Sequence, residues 1–520
     1  METEKKVIAE LRPLLGSGSA SNAIVTLDEL QSFATVKEQV GEKFPIIQYN
    51  PAQAVVSVNQ KGLAVLTEAT QKVGIDSVTD AARGTASAEM SFSDMMKYIA
   101  PILPNDTMIC VLGITRILEP NAPDLANMIW GVKMLRDSYK KTLRRIVFFA
   151  DDFSTMPVEL ARDMMIIEDE PPTKEERIKM VKGLAKSAEM KVTQEQEDLA
   201  VLITRGIPHY MGEQVVASSF RPDGFNTEAL TSNRISAINR VNGLTVMQAK
   251  VSIEEVGGHS YLKEYLMKMC RKFDLLVFID EIDKDLVGSS GGDTSGVTDA
   301  GQKILLTSME DRKYPGISFK GVPGAGKTEL VKAISFSLGK LCISMSISDM
   351  KAEYVGSSER NFREAMSVIT GLAEPRKALF ICTRNRENLS VELQRRFGLA
   401  TFFFDLASRE EKDVIWDIQM KAHDLPKQEL PKDLNWVGSD IRDVCLKAQL
   451  MDVSLLEAAE GHVSVHDRDP STIERMREQA DGKATSTQVA EKYRKPLAQV
   501  EGWAVTETED RKLDASGEAL

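Results

Sequence analysis

Apolar runs of strand length alternate with amphipathic stretches of helix length along most of the chain. The strand candidates of the first half are residues 45–49, 108–113, 145–150 and 164–168. Helical patterns separate them, most clearly over residues 124–143. This alternation predicts a parallel sheet covered by helices. From Thr173 to Gly243 the pattern becomes helical throughout.

The same succession returns in the second half of the chain. An α/β pattern extends from about residue 252 to residue 406, and a helical pattern follows from Ser408 to about Ala459. The polar, charged residues after His466 predict an extended or partly disordered tail. The pattern therefore predicts two copies of one plan and a tail, with segments at residues 1–172, 173–250, 251–406, 407–465 and 466–520.

Composition and charge narrow the classes of protein that fit this pattern. At 520 residues the chain is too long for one core. It lacks an apolar run of about 18 residues and a secretory leader, which predicts no membrane span and a cytoplasmic location. Five separated cysteines indicate buried reduced thiols. A net charge of −12 weighs against a broad nucleic-acid-binding surface.

Residues 321–328, GVPGAGKT, form the most specific motif in the chain. They follow a candidate strand at residues 316–321 and open a helical segment at residues 328–338, which is the context of a phosphate-binding loop. The backbone N–H groups of such a loop surround phosphates at a helix N-terminus. We therefore expect ATP at this loop, with Mg²⁺ on Thr328, and the candidate ligands are Pro323, Gly324, Ala325, Gly326, Lys327, Thr328 and Glu329.

A second motif is the apolar strand with two terminal carboxylates at residues 275–281, LLVFIDE. Ligands bind at the carboxyl ends of strands in open α/β sheets. Asp280 is expected to hold Mg²⁺ through water, and Glu281 to activate the attacking water as a general base. The alternative is a strand that ends in an ordinary solvated acidic turn.

Downstream, the buried-strand candidate at residues 377–383 is followed by Asn385 and then by Arg395 and Arg396. A polar side chain at a strand tip can orient the lytic water. Exposed arginines can stabilise transition-state charge on the nucleotide of a neighbouring subunit. The alternative is a turn asparagine and two surface arginines without a catalytic role.

With these motifs in place, residues 252–460 resemble an AAA+ ATPase module. The resemblance implies a P-loop NTPase fold in which a helical lid follows a parallel α/β sheet. It also implies that Asn385 is the sensor 1 residue and that Arg395 and Arg396 belong to the arginine-finger region. ATP and Mg²⁺ are the cofactors that it implies.

Three shorter segments extend the resemblance. Residues 353–359, EYVGSSE, resemble the aromatic pore loop of AAA+ proteins that thread polypeptide, which assigns Tyr354 and Val355 to that loop. The GSDI segment resembles the lid near the nucleotide and places Ser439 there. The VGG segment resembles the adenine-contacting segment and places Gly257 there.

The two-module layout is similar to that of plastid-type AAA proteins with an inactive first module. The first half contains no GKT or GKS, so we expect no nucleotide there. The resulting fold class is an α/β P-loop NTPase of AAA+ type, preceded by a degenerate AAA-like α/β module with its own helical segment.

The order of the motifs departs from that of the family. AAA+ modules ordinarily run phosphate loop, pore loop, acidic strand and sensor strand, whereas residues 273–312 place the acidic strand first. A βα unit begins and ends away from the active site, so moving it whole cuts only distal loops. We therefore expect this strand between the pore-loop and sensor strands, with Asp280 and Thr328 oxygens about 4–6 Å apart. A chimeric or mis-ordered chain is the alternative.

The resemblance implies a homo-oligomeric ring, expected to be a hexamer, that remodels or threads an unidentified protein client. A nucleotide-gated assembly or scaffold protein is a second interpretation. A DNA-metabolism loader is a third. Tyr354 favours the first interpretation, and the acidic net charge disfavours the third.

Overall fold

A computed structural model describes residues 6–17, 19–26, 28–41, 43–80, 85–119, 121–151, 156–169, 171–222, 224–248, 250–283, 295–350, 355–384, 390–464, 466 and 470–496. The chain divides into two compact units. The first comprises residues 1–256, 265–318 and 328–399, and the second comprises residues 257–264, 319–327 and 400–520.

The first sheet of unit 1 has eight strands in the order β4-β5-β3-β2-β6-β7-β1-β8. Their bounds are β1 Ser21–Val25, β2 Ile46–Asn50, β3 Ala54–Ser57, β4 Val78–Asp80, β5 Thr85–Ala88, β6 Met108–Val111, β7 Arg145–Ala150 and β8 Met165–Glu168. The five strands from β2 to β8 in this order are parallel, and β3, β4 and β5 extend the sheet in antiparallel pairs. The parallel layer expected from the alternating pattern is therefore present.

Helices cover both faces of this sheet. They are α1 Lys6–Ser17, α2 Glu29–Val40, α3 Gln60–Val73, α4 Phe92–Asp94, α5 Ile114–Ile117, α6 Leu125–Tyr139 and α7 Val158–Ala161, with a π-helix at Met95–Ile99 and a 3₁₀ turn at Ala100–Ile102. Every residue of β7 is buried, as expected for a strand covered on both faces. Separate apolar clusters pack on the two sides, one around Phe148 and the other around Phe149.

The helical segment expected from Thr173 onward follows this sheet. It contains α8 Lys174–Ser187, α9 Gln194–Ile203, α10 His209–Ala217 and α11 Thr227–Ile238, with a hairpin of β9 Phe220–Arg221 and β10 Gly224–Phe225. Thr173 and Thr193 begin α8 and α9 with reciprocal capping boxes, which explains why these helices start there. The four helices share an apolar cluster of their own.

The second sheet contributes strands to each unit. In unit 1 the order is β11-β14-β12-β15, followed by the start of β13. Their bounds are β11 Leu244–Val246, β12 Leu275–Ile279, β13 Gly316–Gly321, β14 Leu341–Met345 and β15 Ala378–Arg384. The acidic strand β12 pairs in parallel with β14 on one side and β15 on the other. This is the position expected for it, between the pore-loop and sensor strands.

The helices of this region are α12 Ser260–Cys270, α13 Ser295–Asp311, α14 Lys327–Ser337, α15 Ile347–Met350, α16 Val355–Leu372 and α17 Val391–Arg396, with a 3₁₀ turn at Ile253–Glu255. Residues of β12, β14 and β15 form one apolar cluster with residues of α13 and α16. That cluster fixes the strand ends that carry the polar side chains described below.

In unit 2 the end of β13 is followed by β16 Ala400–Phe404 and β17 Thr485–Ser486, in the order β13-β16-β17. The helices are α18 Arg409–Ala422, α19 Gly438–Met451, α20 Leu455–Ala459 and α21 Pro470–Ala480. Trp416 is fully buried at the centre of the cluster formed by α18, α19 and α20. These three helices form the helical segment expected after Ser408.

The expectation of an extended tail after His466 is wrong for residues 470–493. This segment contains α21 and β17, and β17 pairs in parallel with β16. Tyr493 packs on Phe403 with ring centroids 4.4 Å apart. The pattern did not predict this because few apolar side chains in the segment are buried, and a polar contact, that of Arg477 with Asp405 at 2.9 Å, holds it as well. Residues 497–520 lie outside the described part.

All five cysteines are buried and free, as expected from their spacing. Burial raises the pKa of each thiol to about 12, so the thiols stay protonated at neutral pH. Within the described residues, no helix is both long and apolar enough to cross a membrane.

Candidate active site

The phosphate loop connects the end of β13 to Lys327, the first residue of α14. Gly324 and Gly326 have φ angles of +80° and +83°, a region that favours glycine. A Cβ on Gly324 would lie 2.3 Å from the Ser439 hydroxyl oxygen, so a larger residue would clash with the lid. A Cβ on Gly326 would meet no atom within 4 Å, so the loop is open on that side.

The Lys327 ammonium bends back over the loop. Its Nζ donates to the Gly321 carbonyl at 2.9 Å and to the Val322 carbonyl at 3.0 Å. A cation in this position can neutralise phosphate charge beside the backbone N–H groups. The residues after it, Thr328 and Glu329, lie in the first turn of α14, where Glu329 pairs with Lys332 at 2.8 Å.

Asp280 follows β12 and makes two side-chain contacts. It accepts a hydrogen bond from the Thr328 hydroxyl at 3.4 Å through Oδ2, and a second from the Thr383 hydroxyl through Oδ1. The first distance is shorter than the expected separation of about 4–6 Å because the two groups hydrogen-bond directly. The phosphate-loop helix and the acidic strand therefore place their polar side chains side by side.

Glu281 continues this arrangement through its backbone. Its φ angle is +46°, an uncommon conformation for a residue other than glycine. Its N–H donates to the Thr383 hydroxyl at 2.7 Å. Backbone strain of this kind concentrates at functional sites. The buried Thr383 hydroxyl thus holds both acidic residues, one through its carboxylate and the other through its N–H.

The donor set at Asp280 and Thr328 fits Mg²⁺. Carboxylate and hydroxyl oxygens are the hard ligands that this ion prefers, and nucleotide enzymes commonly bind it with one or two protein ligands plus substrate phosphates. In the part of the chain that the structure describes, no group of three or more His, Cys, Asp or Glu side chains could hold a metal. The residues therefore fit an ion shared with a nucleotide better than an all-protein cage.

Gly257 and Ser439 lie in unit 2. A Cβ on Gly257 would be 2.4 Å from the Ile415 side chain, so this glycine allows close packing on α18. Ser439 is in the first turn of α19 and contacts the phosphate loop at Gly324. The structure places Ser439 at the loop, as a nucleotide-contacting position requires.

Three residues at this site are absent from the sequence-based candidates. Thr383 is the first, and its signal was a hydroxyl at the end of the predicted strand beside the acidic one. The other two are the buried histidines His259 and His466. Their Nε2 atoms lie 3.1 Å from the carbonyl oxygens of Ala325 and Pro323, respectively. Their positions in the sequence gave no indication of this contact.

Arg395 and Arg396 lie at the end of α17. Arg396 forms an ion pair with Glu310 at 2.5 Å, and Arg395 is exposed. Both line a groove of about 860 Å³ together with Gln302, Lys303, Leu306, Thr307, Glu310 and Glu392. Tyr354 and Asn385 lie outside the described residues, as does the side chain of Val355, the first residue of α16.

Comparisons with known proteins agree with this geometry. Residues 317–383 match the model of the AAA family, the ATPase family associated with various cellular activities. The match begins in β13 and ends in β15, so it contains the phosphate loop but not β12. A relative in Xenopus laevis, a katanin p60 ATPase-containing protein of the A-like 2 type, is 28% identical over 211 residues, which cover 35% of this chain and 41% of the relative.

The chain thus spans less than half of the curated relative that it matches. Both comparisons support an AAA ATPase domain in this protein. The family match implies nucleotide binding, for which Mg²⁺ is the usual ion.

Proposed function

We propose that this chain binds and hydrolyses ATP at a site in which the displaced strand β12 completes the phosphate-loop module. The observation that carries the proposal is the 3.4 Å contact between Thr328 and Asp280. It joins the residue expected to ligate Mg²⁺ in the loop to the carboxylate expected to hold the same ion. The AAA family match of residues 317–383 supports the assignment.

Each side chain has a distinct role in the proposal. Lys327 neutralises phosphate charge, and Thr328 and Asp280 hold the metal ion. Bound Mg²⁺ supplies positive charge against the phosphate oxygens. Glu281 accepts a proton from the attacking water, and Asn385 orients that water.

Hydrogen bonds at the ends of the displaced unit support its interpretation as a permuted βα unit. The Asp274 N–H donates to the Lys377 carbonyl at 2.8 Å, and the Arg376 N–H donates to the Arg312 carbonyl at 2.9 Å. Residues 274 and 312 therefore both adjoin the loop between α16 and β15. The conventional order of motifs inserts the acidic unit at this same loop, so the unit occupies the conventional place although it enters the chain earlier.

We further propose that the protein works as a ring, with six subunits as the expected number, and that it threads or remodels a protein client. Arg395 and Arg396 then act on the nucleotide of the neighbouring subunit. Tyr354 and Val355 grip the client, because an aromatic ring offers a large packing surface without chemical specificity. The first sheet, which lacks a phosphate loop, contributes to assembly.

Titration of Mg²⁺–ATP into Lys327→Ala tests the nucleotide site. We expect binding to be lost, because the backbone N–H groups alone do not neutralise the triphosphate. Lys332→Ala is the matched control, since Lys332 lies on the same helix and pairs with Glu329. Tight binding by Lys327→Ala would remove the phosphate-loop assignment.

ATP turnover with and without an unfolded polypeptide such as casein tests the threading proposal. Tyr354→Ala should keep its basal turnover and lose stimulation by casein, and Tyr354→Phe should retain both. Stimulation that survives in Tyr354→Ala would argue against threading and favour an ATPase that only switches an assembly.

A further inference from the structure

We propose that His259 and His466 are positioning residues, which hold the phosphate loop in its nucleotide-binding shape by donating hydrogen bonds to two of its backbone carbonyls. The proposal rests on the proposed function, since it concerns the loop that binds the triphosphate. It concerns residues outside the phosphate-loop motif itself.

The two contacts are equivalent in geometry. His259 Nε2 lies 3.1 Å from the Ala325 oxygen, and His466 Nε2 lies 3.1 Å from the Pro323 oxygen. A carbonyl oxygen can only accept, so each Nε2 carries the proton and donates it. The two acceptors flank Gly324, whose φ of +80° marks the bend of the loop. Both rings are buried, so water does not replace them readily.

The His259 ring is held on its other sides as well. Its Nδ1 lies 3.0 Å from the Thr487 hydroxyl, which donates to it when the proton is on Nε2. The ring packs on Phe404 with centroids 4.6 Å apart. Burial lowers the pKa of His259 to about 4, so the neutral ring prevails at physiological pH. The C-terminal residue Thr487 thereby fixes the tautomer that supports the loop.

His466 connects the loop to the lid. Its backbone N–H donates to the Ser464 hydroxyl at 3.2 Å, and that hydroxyl donates to Asp440 Oδ2 at 2.8 Å. The same carboxylate oxygen accepts from the Val437 N–H at 3.0 Å, at the start of α19. The loop carbonyl of Pro323 is therefore tied to the first turn of the lid helix that also carries Ser439.

The physical reason lies in how a phosphate loop is built. Its N–H groups point toward the ligand, so carbonyls on the opposite side need donors from elsewhere in the protein. A buried carbonyl without a donor costs free energy, and a loop that lacks its donors can relax away from the binding shape. Two histidine donors, one from the segment after β11 and one from the lid, satisfy Ala325 and Pro323.

The test is the affinity for fluorescent mant-ATP with Mg²⁺, measured on His259→Ala, His466→Ala and the corresponding Gln variants. Loss of one neutral hydrogen bond predicts about five-fold weaker binding for each Ala variant. Gln should restore most of the affinity, because its amide N–H₂ reaches nearly as far as Nε2. His423→Ala is the control, since the His423 ring bonds to Gln449 at 2.9 Å instead. Turnover at saturating ATP should change less than the affinity.

Folded Ala variants that bind mant-ATP as tightly as the wild type would overturn the proposal. So would Gln variants that bind as weakly as Ala variants at wild-type melting temperature. If the Ala variants do not fold, Thr487→Val decides, because it removes only the group that fixes the His259 tautomer, and wild-type affinity there would contradict the proposal. Lys327→Ala separates the two levels: tight binding by that variant refutes the nucleotide site itself, whereas its loss beside unaffected histidine variants refutes only the histidine roles.

Discussion

The Thr328 hydroxyl lies 3.4 Å from a carboxylate oxygen of Asp280, a residue that precedes it by 48 positions. In conventional modules the acidic residue follows the phosphate loop. The contact forms because β12 pairs in parallel between β14 and β15, so its carboxyl end lies at the same sheet edge as theirs. The position of a strand in the sheet, rather than its position in the chain, therefore determines which side chains meet.

Thr383 is expected to organise both acidic residues, since its hydroxyl bonds to the Asp280 carboxylate and to the Glu281 N–H. Thr383→Val should leave ATP affinity near that of the wild type and lower turnover by roughly ten-fold or more, the size of a displaced catalytic group. Thr383→Ser keeps the hydroxyl and should restore turnover. Equal turnover in Thr383→Val and the wild type, measured at saturating Mg²⁺–ATP, would remove Thr383 from the site.

Restoring the conventional motif order should preserve activity. In the rearranged chain, residues 274–312 move to the loop before Lys377, with short glycine–serine linkers at the three new junctions. Both ends of this unit already adjoin that loop through the bonds of Asp274 and Arg376. Changes in loop connection cost little free energy, so turnover should stay within about ten-fold of the wild type.

The control for this rearrangement is the same chain with Glu281→Gln, which should lose turnover as the wild-type order does. A rearranged chain that folds and binds ATP but does not hydrolyse it would contradict the permuted-site interpretation. Circular dichroism and mant-ATP binding establish folding before turnover is compared.

Arg396 is expected to act on the nucleotide of a neighbouring subunit. Arg396→Ala should bind ATP normally and lose turnover by about 10³-fold. Mixing it with Lys327→Ala subunits should restore part of the activity, because each variant supplies the group that the other lacks. Glu310→Gln, which removes only the ion pair within the chain, is the control and should keep its turnover. Mixed subunits no more active than the separate variants would argue against a shared site.

The sequence predicted the parts of this molecule that depend on strong local patterns. Continuous apolar runs predicted β7, β12 and β15, because a strand buried on both faces needs apolar side chains at nearly every position. The glycines and the lysine of the phosphate loop were predicted for the same reason, since loop and helix start follow from few residues. The place of β12 between β14 and β15 followed from the family resemblance and from the geometry of βα units.

Contacts between distant polar residues could not be predicted in this way. Thr383, His259 and His466 belong to the site only because folding brings them within hydrogen-bond distance of it, and a lone threonine or histidine carries no periodic signal. The helix at residues 470–480 was missed for a related reason. Its segment buries few apolar side chains and is held partly by the contact of Arg477 with Asp405.

The turnover of Glu281→Gln at saturating Mg²⁺–ATP, beside its ATP affinity, tests most directly whether the displaced strand completes the ATPase site. Loss of the general base alone predicts unchanged affinity and turnover reduced by about 10²- to 10⁴-fold. Asp274→Asn, at the opposite end of the same strand, should behave as the wild type. Turnover by Glu281→Gln at the wild-type rate would contradict the account, because the acidic strand would then be no part of the hydrolytic site.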